Sequence, residues 1–233
     1  MSKQIAIFGL GRFGTSLART LFEAGYEVLA VDKAADLVEN IGPYVTHAVK
    51  TNAINEAALK KLGINNFDLA VVAIGQSIQD SVIITILLKK LGVRYIVARA
   101  DNELHGEILN SIGADKVIFP EKDTAIRTGP VLTMKDVDDF IPLGKGAGIV
   151  KAPATPYFIG KTLEDIGFGT NQKREAAVLM IQRGKEAIIN PGPQEVVSHI
   201  DVLIIVGNNT DVGELLEKTD LPENSKIHNG NSH

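Results

Sequence analysis

A short apolar run near the start of the chain, Gln4–Phe8, leads into Gly9-Leu-Gly-Arg-Phe-Gly14, and a stretch of helical period, Arg12–Glu23, follows at once. This arrangement narrows the fold further than any other feature of the sequence. A GxGxxG alone arises by chance in glycine-rich loops, but between a strand and a helix each glycine has a task. Gly9 permits the tight turn, Gly11 lets backbone approach a pyrophosphate, and Gly14 lets the helix pack closely on the strand. The helix start offers free N–H groups and a partial positive charge to a phosphate. Asp32 ends the next expected strand, 23 residues beyond Gly9. A carboxylate there accepts hydrogen bonds from ribose hydroxyls and repels a 2′-phosphate, which favours NAD over NADP among dinucleotides.

The next hundred residues repeat the strand–helix rhythm. Strands are expected at Gln4–Phe8, Glu27–Val31, Tyr44–Val49, Asp68–Ile74, Tyr95–Ala98 and Lys116–Phe119. Helices are expected at Arg12–Glu23, Ala34–Asn40, Asn55–Leu62, Ile78–Leu91 and Glu103–Ile112. Leu69-Ala-Val-Val-Ala-Ile74 is apolar on both faces, as a parallel strand covered on each side must be. Six such repeats predict an α/β fold: a Rossmann-like, doubly wound parallel sheet with right-handed crossovers. The helix at Ile78–Leu91 is apolar nearly all round and so needs a second burial surface. Either an overlying loop or another subunit would serve.

Beyond Pro120 a helix is expected to about Met134, and then glycines and prolines between Pro142 and Pro156 mark a change of architecture. Short strands at Phe140–Leu143, Gly148–Ala152, Ala176–Ile181, Ala187–Asn190 and Asp201–Val206, with helices at Thr162–Ile166 and Asp211–Glu217, read as a small α+β C-terminal domain. The expected organisation is a nucleotide-binding domain over 1–135, a ligand or dimerisation domain over 136–219, and a polar, disordered tail over 220–233.

Charge and composition exclude several functions. The 24 Lys and Arg against 28 Asp and Glu give a net charge of −4, with no basic run longer than two. That leaves no basic footprint for a nucleic acid. Zero Cys removes thiolate metal sites and thiol catalysis. The start, Met-Ser-Lys-Gln-Ile, lacks a signal-peptide pattern. The longest charge-free run, Leu69–Gln79, is 11 residues, against roughly 20 for a membrane span. A cytoplasmic protein is expected.

Along the rim formed by strand carboxyl ends, the candidate nucleotide-binding residues are Gly9, Leu10, Gly11, Arg12, Phe13, Gly14, Asp32, Lys33, Asn52, Ala53, Ala73 and Gly75. Arg12, in the fingerprint on the first helical turn, is either a solvated surface residue or a guanidinium beside phosphates. Asn52 either reads an adenine edge or caps a helix. A hydride-transfer enzyme also needs an acid/base group. Two of the five His, His228 and His233, lie in the tail, and His47 falls inside an expected strand. No catalytic residue is assigned; a binding module with a nucleotide as ligand is the simpler reading.

Gly9–Gly14, Asp32 after Leu-Ala-Val, Val71-Val-Ala-Ile-Gly75, Ile112-Gly-Ala-Asp115 and Pro120-Glu-Lys-Asp123 together resemble the regulator-of-K⁺-conductance (RCK) family, in particular the cytosolic gating subunits of bacterial Ktr/Trk potassium-uptake systems. The resemblance runs from about residue 1 to 218. It implies a nucleotide-sensing regulatory subunit, not an enzyme. Such a subunit assembles from dimers into an octameric ring on a K⁺-translocating membrane subunit, peripheral to the inner face of the membrane. ATP and ADP would compete for the N-terminal domain, NAD(H) being the alternative ligand. Arg12 would contact the γ-phosphate, Asp32 the ribose, and Asn52 the adenine end. Glu121 would help hold a divalent cation, Mg²⁺ or Ca²⁺, and Arg99 stands where the family usually has Lys. Cyclic di-AMP is implied between paired C-terminal domains. There the sequence departs from the family pattern: extra residues follow Ile166, and Arg174 is only a guess at the ligand-binding arginine. An NAD-dependent oxidoreductase, or a nucleotide sensor for another transporter, is the alternative function.

Overall fold

A computed structural model describes residues 3–168 and 175–218; the expected tail and Arg174 fall outside them. Two compact units divide between Glu121 and Lys122.

In the first unit β1 (Gln4–Phe8), β2 (Glu27–Asp32), β3 (His47–Lys50), β4 (Leu69–Val72), β5 (Ile96–Arg99) and β6 (Lys116–Ile118) form one sheet. Its order is β3-β2-β1-β4-β5-β6, and every neighbouring pair is parallel. The chain reverses its direction of travel across the sheet between β1 and β4, the switch point at which such sheets bind ligands. Period-two alternation divides the strand residues between two cores. Ile5, Ile7, Val28, Ala30 and Val71 pack with Ala18 of α1 (Arg12–Glu23) and with Ile41 of α2 (Ala35–Ile41). Ala6, Phe8, Leu29, Val31 and Val72 pack with Leu59 of α3 (Glu56–Lys61), Ile84 and Leu88 of α4 (Ile78–Lys90), and Leu109 of α5 (Glu103–Ser111). Each fully buried Leu, Ile or Phe contributes about 2 kcal/mol.

Two expected strands shorten by more than one residue. Tyr44 lies not in β3 but in a 3₁₀ turn, Gly42–Tyr44, because Pro43 fixes φ and removes a backbone donor. β4 stops at Val72, which frees Ala73 and Ile74 to form a rim. α3, α4 and α5 begin at side-chain caps, Asn55, Ser77 and Asn102. α1 begins at Gly11 with no side-chain cap.

The second unit opens with most of α6 (Pro120–Thr133). Val131 and Met134 pack on this unit's own core, so the boundary stands at 121/122, where the sequence suggested 135/136. Five antiparallel strands follow: β7 (Asp139–Gly144), β8 (Ala147–Pro153), β9 (Ala176–Arg183), β10 (Glu186–Ile189) and β11 (Asp201–Asn208), in the order β10-β9-β11-β8-β7. Val150, Ile181, Leu203 and Ile205 bury one sheet face against α7 (Leu163–Ile166) and α8 (Asn209–Leu216), through Ile166, Val212 and Leu215.

Candidate functional site

The uncapped start of α1 faces a cleft of about 410 Å³ at the carboxyl ends of the strands. Gly9, with φ +94°, turns the chain back, and its N–H donates to the Val31 carbonyl at 2.9 Å. A side chain at Gly14 would overlap the Gly9 carbonyl oxygen, so helix and loop approach as closely as the fingerprint predicts. Thr15 Oγ1 donates to the Leu10 carbonyl at 2.8 Å and braces the loop from the helix side.

Asp32 is a structural clamp. Oδ2 accepts from the Leu10 N–H at 2.7 Å, and Oδ1 accepts from the Ala34 N–H at 2.9 Å. One carboxylate thereby ties the glycine loop to the start of α2. Each of its oxygens retains a lone pair for a further donor, and Asp32 lines the cleft.

Of the twelve rim residues read from the sequence, ten line the cleft: Gly9, Gly11, Arg12, Phe13, Asp32, Lys33, Asn52, Ala53, Ala73 and Gly75. Arg99 and Glu121 line it as well. Leu10 and Gly14 do not. Leu10 is buried in the core and Gly14 is occupied in helix–loop packing, so both shape the loop from behind. Asn52 is not a helix cap: Asn55 caps α3, while Asn52 Oδ1 accepts from the Ile54 N–H at 3.3 Å in a local turn. Arg12 is exposed and makes no hydrogen bond or ion pair among the described residues.

Sequence reasoning missed Gln76, Ser77 and Asp80, which line the cleft from the start of α4. Ser77 Oγ accepts from the Asp80 N–H at 3.1 Å, and Asp80 pairs with Lys33 at 3.3 Å. The Ser-x-x-Asp spacing of a helix start was the available signal.

On the β5–β6 side, Arg99 Nη2 donates to Glu121 Oε1 at 2.7 Å, with Asp101 at 3.7 Å. The guanidinium rests on Gly75 at the place a Cβ would occupy. Nearby, His105 is buried and its Nδ1 accepts from the Asp101 N–H at 3.3 Å. Burial, assisted by the Arg99 charge and opposed by Asp101, holds its pKa below the ordinary imidazole value. Among the described residues no cluster of three or more His, Asp or Glu side chains stands ready for a metal ion. Glu121 is already paired with Arg99, which Asp101 also approaches.

This fold and cleft define a Rossmann-type nucleotide-binding unit followed by a small antiparallel one, and two family models describe that pair: the TrkA-N domain over residues 5–120 and the TrkA-C domain over residues 148–220. The chain belongs to the RCK family, among the Ktr and Trk potassium-uptake proteins. It is 39% identical over 212 residues to Ktr system potassium uptake protein C of Bacillus subtilis, covering 91% of this chain and 95% of that one. To Ktr system potassium uptake protein A of the same organism it is 37% identical over 211 residues, covering 91% and 94%. To protein A of Vibrio alginolyticus it is 33% identical over 205 residues, covering 88% and 92%. Among solved structures, the GsuK channel superposes with a TM-score of 0.64 at 19% identity, over 94% of this chain and 40% of the channel. The GsuK channel bound to NAD superposes with a TM-score of 0.60 at 19% identity, over 93% of this chain and 39% of the channel. No helix among the described residues is long and apolar enough to cross a membrane.

Proposed function

We propose that this chain is the nucleotide-sensing regulatory subunit of a K⁺-uptake system, binding ATP and ADP in the cleft and gating a separate membrane subunit from the cytoplasmic side as an octameric ring. The observation that carries the reading is Arg12: an unpaired guanidinium beside an uncapped helix start, on a cleft whose glycine loop is pinned by Asp32. Kinship with Ktr potassium-uptake proteins over nine-tenths of the chain supports the transport role.

The mechanism follows from charge. ATP carries one phosphate more than ADP, so Arg12 gains a partner with ATP that ADP does not provide. If two states of the assembly hold Arg12 differently, that difference in affinity shifts their populations. Couplings of this kind are typically about 1–3 kcal/mol. A divalent cation fits the site in one way: Mg²⁺ is commonly held by one or two carboxylates together with substrate phosphates, and of the carboxylates lining the cleft, Asp32, Asp80 and Glu121, Glu121 is the one that the resemblance implies. Such a cation would neutralise phosphate charge, and it would have to share Glu121 with Arg99.

The residues support sensing over hydride transfer. Among the described residues lining the cleft there is no His or Tyr, and Lys33 is engaged by Asp80. Thermal shift with ATP, ADP, NAD⁺ and NADH, each with and without Mg²⁺ or Ca²⁺, tests the reading. ATP and ADP are expected to stabilise the protein most, and Arg12→Ala to erase the difference between them. An Arg12→Ala protein that still separates ATP from ADP would sink the mechanism. Co-purification with an ion-channel-like membrane subunit tests the partner, and calorimetry with cyclic di-AMP tests the C-terminal ligand that the resemblance implies.

A further inference from the structure

We infer that the Lys33–Asp80 ion pair is a strap across the nucleotide cleft, setting how fast a nucleotide enters and leaves while changing little how tightly it is held; the inference rests on the nucleotide site proposed above. Lys33 follows β2, and Asp80 lies in the first turn of α4, which the chain reaches from β4. In the sheet, β2 and β4 flank β1 on opposite sides. Neighbouring strands lie about 4.8 Å apart, so the ends of β2 and β4 stand on the order of 10 Å from each other. Between them is the end of β1, where the glycine loop begins and where such sheets seat their ligands. Lys33 Nζ nevertheless meets Asp80 Oδ2 at 3.3 Å. The long lysine stem closes the span, and the pair runs from one lip of the crevice to the other.

The two ends of the strap differ in rigidity. Asp80 is the fixed end: its N–H donates to the Ser77 cap at 3.1 Å, and its side chain is 25% exposed. Lys33 is the moving end, 71% exposed on a flexible four-carbon stem. Val31, Leu37, Ala53, Ile54 and Ile84 line the same cleft, apolar walls suited to the base of a nucleoside. With the pair formed, the cleft still measures about 410 Å³, inside the roughly 300–1,000 Å³ of small-ligand pockets. A seated nucleotide therefore leaves the strap free to close again. Entry and exit both require opening, whereas the bound state does not. Exposed ion pairs are individually weak and are screened by salt, so the closed form is favoured by up to about fivefold at low salt. A strap of this strength slows the exchange of one nucleotide for another and leaves their equilibrium competition unchanged.

Stopped-flow fluorescence on the full-length protein reads both rates, with 2-aminopurine riboside triphosphate, whose base is a fluorescent isomer of adenine, as the probe and excess ATP as the displacing ligand. Lys33→Gln and Asp80→Asn are each expected to raise association and dissociation rates by about two- to fivefold, with Kd moving by less than about twofold. The shared direction is the signature of a strap. A lysine that merely attracts phosphate predicts opposite directions, because Lys33→Gln would weaken binding and Asp80→Asn, which releases the ammonium, would tighten it. The exchanged pair, Lys33→Asp with Asp80→Lys, should restore the slow wild-type rates. Raising NaCl to about 0.5 M should speed dissociation from the wild-type protein more than from either single variant. Unchanged rates in folded variants, or affinity changes of opposite sign, overturn the inference and leave the nucleotide site standing. A wild-type protein that binds neither the probe nor ATP defeats the proposed function, and the strap with it.

Discussion

Asp201 begins β11 with its side chain wholly buried. Arg183 Nε and Nη2 reach its two oxygens at 2.8 Å each, and the Ser198 N–H donates to Oδ2 at 2.8 Å. Burial pushes this carboxyl upward, but the hydrogen bonds from Arg183 and Ser198 outweigh it and hold the pKa below the ordinary Asp value. A depressed carboxyl contributes stability above its unfolded pKa and loses it as pH falls through the folded one. The second unit should therefore weaken as pH drops below about 4, followed by circular dichroism. Asp201→Asn should cost about 3 kcal/mol in chemical denaturation at pH 7, because it leaves a partly buried Arg without its main partner. His105 has the opposite chemistry and the same acid sensitivity. Its imidazole stays neutral in the fold, while the unfolded chain takes a proton below about pH 6.5. Stability should fall as pH drops from 6.5 toward the folded pKa, and His105→Asn should flatten that slope in thermal melts.

At the scale of elements, the glycine loop and α1 stand or fall together. Gly14→Ala would drive a methyl into the Gly9 carbonyl oxygen, which is backbone and cannot rotate aside. The expected cost is about 2 kcal/mol, with ATP stabilisation lost because the loop must shift off Asp32; denaturation with and without nucleotide reads both. Gly9–Gly14 and Asp32 were legible as a site because their roles depend on local turn geometry and on spacing along one βαβ unit. Tyr44 was misread as strand because β-propensity at Tyr44-Val45 competes with the turn that Pro43 enforces. Asn52 had two readings, and the backbone of the following turn removes the helix cap, which belongs to Asn55. Asp80 and Ser77 went unnoticed because they reach the cleft from a helix start 45 or more residues beyond Asp32, and only the strand order brings them there.

At the scale of the whole molecule, α4 and α5 leave Ile78, Ile86, Leu104 and Ile108 at 36–67% exposure. α4 buries Ser81, Ile84, Thr85 and Leu88 instead, which accounts for only one of the two surfaces its apolar sequence requires. The homo-oligomer proposed above would supply the other. Light scattering is expected to give a multiple of the 25.0 kDa chain, and Leu104→Glu to lower it; a wild-type mass of one chain would count against any ring.

The sequence by itself determined the βαβ order, the glycine turn and the acid at the end of β2, because hydrophobic period and local backbone demands act over a few residues. It also determined kinship, through motifs spread from Gly9 to Asp123, nearly all in the first unit. Tertiary structure alone decided how the cleft's charges are paired. Arg99 and Glu121 lie 22 residues apart in the chain and 2.7 Å apart in space, and Lys33 meets Asp80 across 47 residues. Those pairings depend on which strand ends lie side by side and on a glycine that leaves room for a guanidinium. Neither condition is encoded in local periodicity.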